Sequence, residues 1–157
     1  MADILAIESS NEACSVALRA GDSVIERFEH APMKHAELLL PMVQSVLDES
    51  DRALASLDAI AFGRGPGSFT SLRIGIGVVQ GLAWGAGLPV VPVSSLAAIA
   101  DQALAPDDDR RVWVAMDARM KRLLRRDFAR RRSTRLRQTS QCQRTIEKET
   151  FSAPNRL

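Results

Sequence analysis

Gly63-Arg64-Gly65-Pro66-Gly67-Ser68-Phe69-Thr70-Ser71-Leu72-Arg73-Ile74-Gly75 is the stretch on which the fold turns. Before it, Leu57 to Phe62 is an apolar run of strand length; after it, Phe69 to about Trp84 is helical until Gly85-Ala86-Gly87 ends the helix. Free backbone N–H groups at such a helix N-terminus favour an anion, which makes Gly65, Gly67, Ser68 and Thr70 candidates for a nucleotide loop. The same residues suit a tight strand-to-helix connection, with glycines for unusual dihedrals and Ser68 as N-cap. The loop is not a Walker A motif, since no Gly-Lys-Ser/Thr follows. Nor is it a dinucleotide fingerprint, because Pro66-Gly67-Ser68 follows Gly63-Arg64-Gly65.

Upstream, Ile4 to Ile7 and the alternating Ala13 to Leu18 read as strands, Gly21-Asp22 as a turn, and Ser23 to Phe28 as the third strand of a meander. Glu8, Ser9 and Ser10 end the first strand, where actin-like and RNase-H-like folds set an acidic residue and small hydroxyls towards a nucleotide or metal. A hydrogen-bonded turn accounts for them equally, and Asp117, far away in sequence, proves no pairing. From Lys34 to Ser50 the spacing of Leu38, Leu39, Met42, Val43, Val46 and Leu47 is helical, Leu40 and Ala36 widen the apolar arc beyond one face, and Pro41 kinks the helix or marks where its firm part begins. Downstream, Pro89 to Val93 is a strand, Leu96 to Leu104 a helix capped by Ser94 or Ser95, and Arg111 to Met116 a further strand. The order βββαβαβα predicts an α/β lobe with a mixed sheet over residues 1–105. Residues 106–120 would open a second lobe that is otherwise missing, and 121–157 would be a disordered or loosely helical basic tail. Without a second lobe, the strand at Arg111 to Met116 is expected to lack pairing partners and cover.

The net charge of +2 hides two opposite parts: residues 1–120 carry nine Lys/Arg against sixteen Asp/Glu, and 121–157 carry twelve against three. A basic run can bind nucleic acid, but this one has only Phe128 and Phe151 for stacking, so it predicts no specific RNA recognition. Cys14 and Cys142 stand apart with no CxxC or Cys/His grouping. His30 and His35, five apart with Pro32 between, do not share the helical face a zinc pair needs. No metal site and no nucleophilic triad are read, and therefore no catalytic residue. No apolar run reaches the ~20 residues of a membrane span, and Met1-Ala2-Asp3 lacks a basic leader, which predicts a cytoplasmic protein.

Ile4-Leu-Ala-Ile-Glu-Ser-Ser10, Ala13-Cys-Ser-Val-Ala-Leu18, Lys34-His-Ala-Glu-Leu-Leu-Leu-Pro41, the stretch Gly63 to Gly75, Val91-Pro-Val-Ser-Ser-Leu96 and Val114-Ala-Met-Asp-Ala-Arg119 form an ordered series. Over about three-quarters of the chain this series resembles the TsaB (YeaZ) family, of the glycoprotease-like group with an actin-like ATPase fold. The resemblance implies a non-catalytic subunit in threonylcarbamoyladenosine modification of tRNA. Such a subunit docks on a catalytic subunit of the TsaD type and through it supports a TsaE-like ATPase and, indirectly, tRNA; a homodimer is the other assembly the resemblance allows. A weak ATP-binding lobe using Glu8, Ser9, Ser10 and the Gly65 to Thr70 loop is the enzyme alternative. A truncated product without function is the other, since the Arg-rich stretch after Lys121 has the look of an out-of-frame reading.

Gly77, Gly81 and Gly85 recur every four residues, with Gly75 beside them, although each glycine inside a helix costs ~1 kcal/mol relative to alanine. Packing inside the lobe and docking of a partner helix both explain such a stripe. With the resemblance, the expected partner interface takes in His35, Leu39, Met42, Val46, Ile76, Gly77, Gly81, Leu82 and Gly85.

Overall fold

The computed structural model describes residues 1–104, 111–117, 122–130, 136–138 and 144–147. The chain forms two compact units, Met1–Ser94 and Ser95–Leu157.

In the first unit, β1 (Ile4–Glu8), β2 (Ala13–Ala20) and β3 (Ser23–His30) form the antiparallel meander, and β4 (Ala59–Gly63) and β5 (Val90–Val93) extend it in parallel. The strand order is β3-β2-β1-β4-β5, a mixed sheet as expected. Register decides which residues share a face: Leu5 lies between Leu18 and Ile60, and Ile7 between Val16 and Phe62. That face is covered by α1 (His35–Ser50) and α2 (Phe69–Ala86). Leu39, Met42, Val43, Val46 and Leu47 of α1 and Val79 and Ala83 of α2 complete the core. Each large aliphatic side chain fully buried there contributes roughly 1.5–3 kcal/mol.

Helix α1 runs through Pro41, which lies on its exposed side, where the carbonyl deprived of a donor remains open to solvent. Its end is set by Asp51 in the left-handed region (φ 51°), whose N–H bonds back to the Leu47 and Asp48 carbonyls. Arg27 of β3 pairs with Glu49 of α1 and donates to Ser45 Oγ at 3.0 Å. Both charges are partly exposed, so the pair is worth at most ~1 kcal/mol. The edge strand β5 contains Pro92. Because Pro89 and Val93 carbonyls accept from Ile60 and Arg64, the intervening alternate positions point away from β4, and the proline deprives the ladder of nothing. Burial pushes the Cys14 thiol above its usual range, and the nearby Glu29 carboxylate adds to the effect.

The second unit corrects the expected organisation. Helix α3 (Ser95–Ala103), read from sequence as part of the first lobe, packs Leu96 and Ala100 against Val114 of β6 (Arg111–Asp117) and Phe128 of β7 (Arg122–Arg130). β6 does not lack a partner: it pairs antiparallel with β7 from Arg111↔Ala129 to Asp117↔Leu123. β8 (Leu136–Gln138) and β9 (Arg144–Glu147) pair in turn with β7. The stretch after Lys121, expected to be disordered, thus carries three strands, and the second lobe is not wholly missing. Sequence patterning missed them because Arg122, Arg125, Arg126, Asp127 and Arg130 interrupt the apolar alternation of β7 by which a strand is recognised. Residues 105–110, Arg119 and Cys142 lie outside the described residues, as does the side chain of Asp117.

Candidate functional site

Two neighbouring features of the first unit carry the candidate residues: the corner that follows β1, and the outward face of α2.

At the corner, β1 ends in Glu8, and Ser9 and Ser10 are buried. The loop after β4 closes on them. Ser68 N–H donates to the Ser10 carbonyl at 2.6 Å, and Ser9 Oγ donates to the Ser71 carbonyl at 3.1 Å. The Glu8 carboxylate accepts the Ser10 N–H at 2.6 Å. Three glycines make this approach possible. A Cβ at Gly63 would collide with the Glu8 carboxylate, one at Gly67 would lie 2.8 Å from the Ser10 carbonyl carbon, and one at Gly75 would lie 3.1 Å from Ser9 Cβ. Gly65 adds a positive φ of 84°. Glu8, Ser9, Ser10, Gly65, Gly67 and Ser68 therefore do come together, but around each other, and Thr70 points to solvent.

Ser68 stands at the N-cap of α2 but makes no side-chain cap bond; its Oγ accepts the Ser71 hydroxyl at 2.9 Å. The Ser68 N–H that an anion would seek is already bound to a protein carbonyl. A phosphate would have to displace that carbonyl and the chain behind it. Of the two sequence readings, the geometry supports the tight connection. The spacing from Gly63 through Gly67 to Gly75 was the available signal for it.

The other side of the corner is held by α1. His35 is only 1 % exposed, and its Nε2 lies 2.9 Å from the Asn11 carbonyl. A carbonyl can only accept, so Nε2 carries the hydrogen. Nδ1 is left as a buried acceptor without a partner among the described residues. Asn11, which sequence reading did not single out, holds the bend by accepting the Ala13 N–H on its side chain at 2.7 Å.

Helix α2 divides its glycines between opposite faces. Ser71, Gly75, Val79 and Ala83 form the buried row; Phe69, Arg73, Gly77, Gly81 and Gly85 form an exposed row. A residue two positions along a helix is turned by about 200°, so Gly75 faces the corner and does not belong to the stripe. Among the described residues, nothing lies within 4 Å of where a Cβ would stand at Gly77, Gly81 or Gly85. Packing inside the lobe therefore does not account for these three. On the same side, Trp84 is 92 % exposed, and the Arg73 guanidinium lies 3.9 Å from the centre of the Phe69 ring. Trp84 was not singled out from sequence, although it follows Gly77 by seven residues and Gly81 by three, which is one helical face.

Several expected interface residues are not available there. His35, Leu39, Met42 and Val46 are buried in the first unit's own core. Leu82 is partly buried against the same core, and Ile76 is partly buried. The buried part of the α1 arc meets the sheet and α2, while Leu40 and Ala36, which widen it, are exposed. Of the expected contacts, Gly77, Gly81 and Gly85 remain on the surface.

No group of three or more His, Cys, Asp or Glu able to hold a metal occurs among the described residues. No helix among them is long and apolar enough to cross a membrane.

Residues 28–156 match the family model described as TsaD: tRNA N6-adenosine threonylcarbamoyltransferase. The chain is 50 % identical over 117 residues to the Escherichia coli tRNA threonylcarbamoyladenosine biosynthesis protein TsaB, which covers 74 % of this chain and 51 % of that protein. The Haemophilus influenzae protein of the same name is 47 % identical over the same length. The chain spans about half the length of these curated relatives. Among solved structures, YeaZ from Pseudomonas aeruginosa is similar with a TM-score of 0.85 at 42 % identity, covering 99 % of this chain and 72 % of that one.

Proposed function

The chain belongs to the TsaB (YeaZ) branch of the TsaD-type family, and on that premise we propose that it is a non-catalytic scaffold subunit in threonylcarbamoyladenosine modification of tRNA. It docks on a catalytic subunit of the TsaD type through the exposed face of α2 together with the exposed side of α1, where Ala36 and Leu40 lie. Through that subunit it supports a TsaE-like ATPase and acts on tRNA only indirectly, in the cytoplasm. A second copy of the chain competes for the same face.

The observation that carries this reading is the open glycine row. Three helical glycines together cost about 3 kcal/mol of helix propensity, and no contact among the described residues uses the space they leave. A close-approaching helix from another chain would use it, since missing side chains let two helix backbones come together. Trp84, at the end of that row, is the kind of exposed aromatic that anchors an interface. The occupied Ser68 N–H and the self-contained Glu8-Ser9-Ser10 corner favour a scaffold over an ATP-binding lobe.

Gly81→Leu tests it. The new side chain points into open space, so circular dichroism and melting temperature should stay at or slightly above those of the parent, while co-purification with the TsaD-type subunit is lost. Retained co-purification places the interface elsewhere.

A further inference from the structure

On the reading that α1 and α2 together present the docking surface, we infer that His35 is a positioning residue that sets the spacing of the two helix N-termini. Both helices are tied to the same short corner. From α2, the Ser68 N–H reaches the Ser10 carbonyl and the Ser71 carbonyl receives the Ser9 hydroxyl, with Gly75 seated against Ser9. From α1, His35 Nε2–H reaches the Asn11 carbonyl, the next residue of the same bend. The backbone entering α1 is joined to the corner through the Ala31 N–H on the Glu12 carbonyl at 3.1 Å, followed by a turn in which Met33 has a positive φ of 64°.

The choice of histidine is otherwise unfavourable. The position is almost wholly buried, and its Nδ1 accepts nothing, so an aliphatic residue would avoid leaving a polar atom unpaired. What histidine supplies is an N–H donor at the reach of Nε2, on a side chain that also fills the buried position. If this bond is lost, the sheet and core still hold α1. The start of the helix is then free to shift against α2, and the surface composed of the two is no longer matched to its partner.

The test separates the donor from the packing. In glutamine the amide nitrogen can take the place of Nε2, whereas in asparagine it takes the place of Nδ1, so His35→Gln keeps the bond and His35→Asn and His35→Phe lose it. Two labels at exposed sites, Glu37→Cys on α1 and Thr70→Cys on α2, in a Cys142→Ser background, report the helix spacing by electron double resonance without any partner present. The parent and His35→Gln should give the same narrow distance distribution, and His35→Asn and His35→Phe a shifted or broadened one. Binding to the TsaD-type subunit, measured where all variants are folded, should weaken about tenfold or more in the latter two and by less than about threefold in His35→Gln. Equal distributions in all four proteins overturn the role of His35, as does a broadening that His35→Gln shares. If the distances behave as expected but the parent does not bind, the positioning role stands and the docking reading falls.

Discussion

Alanine at Gly75 and alanine at Gly81 should change stability in opposite directions, although both substitutions are made in the same helix with the same intrinsic preference. Helix propensity favours alanine over glycine by ~1 kcal/mol at either position. At Gly81 nothing opposes that gain, because the added methyl enters open space, so Gly81→Ala should stabilise by about 1 kcal/mol. At Gly75 the methyl meets the hydroxyl of buried Ser9 and lies 3.1 Å from its Cβ. Ser9 must rotate, its bond to the Ser71 carbonyl is lost, and the hydroxyl is left unpaired, at a cost of about 1–3 kcal/mol. Displacing the serine backbone adds overpacking strain of roughly 1–3 kcal/mol. After the propensity gain, Gly75→Ala should destabilise by about 1–5 kcal/mol. Urea unfolding followed by far-ultraviolet circular dichroism reads this directly. With a slope of roughly 1–3 kcal/mol per molar urea, the two midpoints should fall on opposite sides of the parent and differ by about 1 M or more. Two variants that move in the same direction, or a neutral Gly75→Ala, would refute the division of α2 into a corner-facing row and an open row.

Two further outcomes are expected. In a Cys142→Ser background the remaining thiol, Cys14, should resist alkylation at mildly alkaline pH until the protein is unfolded, because burial and Glu29 hold its pKa above the usual range and disfavour the thiolate; rapid labelling of the folded protein would contradict its burial. Titration of the chain with ATP and Mg²⁺ by calorimetry should show no saturable binding, since the Ser68 N–H is engaged by Ser10; binding that Gly67→Ala abolishes would restore the nucleotide-loop reading.

Much of the first unit was legible in the residues alone. Period-2 alternation in β2, the turn at Gly21-Asp22 and the helical spacing of α1 and α2 are local signals, each set by which side chains must leave water together. The strand order became visible only in three dimensions, because it depends on pairings such as Leu5 with both Leu18 and Ile60, far apart along the chain.

The glycine spacing showed that α2 carries an unusual face, but the sequence alone could not say whether that face was filled. That depends on what stands opposite each missing side chain: Ser9 in the case of Gly75, nothing in the case of Gly77, Gly81 and Gly85. In the same way, an apolar arc on α1 reads as two-sided whether its second side meets another molecule or the neighbouring helix. Only tertiary packing decided that Leu39, Met42 and Val46 belong to the core. The nucleotide-like loop followed the same rule. Its residue types permit an anion or a neighbouring carbonyl equally, since a backbone N–H accepts either partner, and the folded chain brings the Ser10 carbonyl to 2.6 Å from the Ser68 nitrogen.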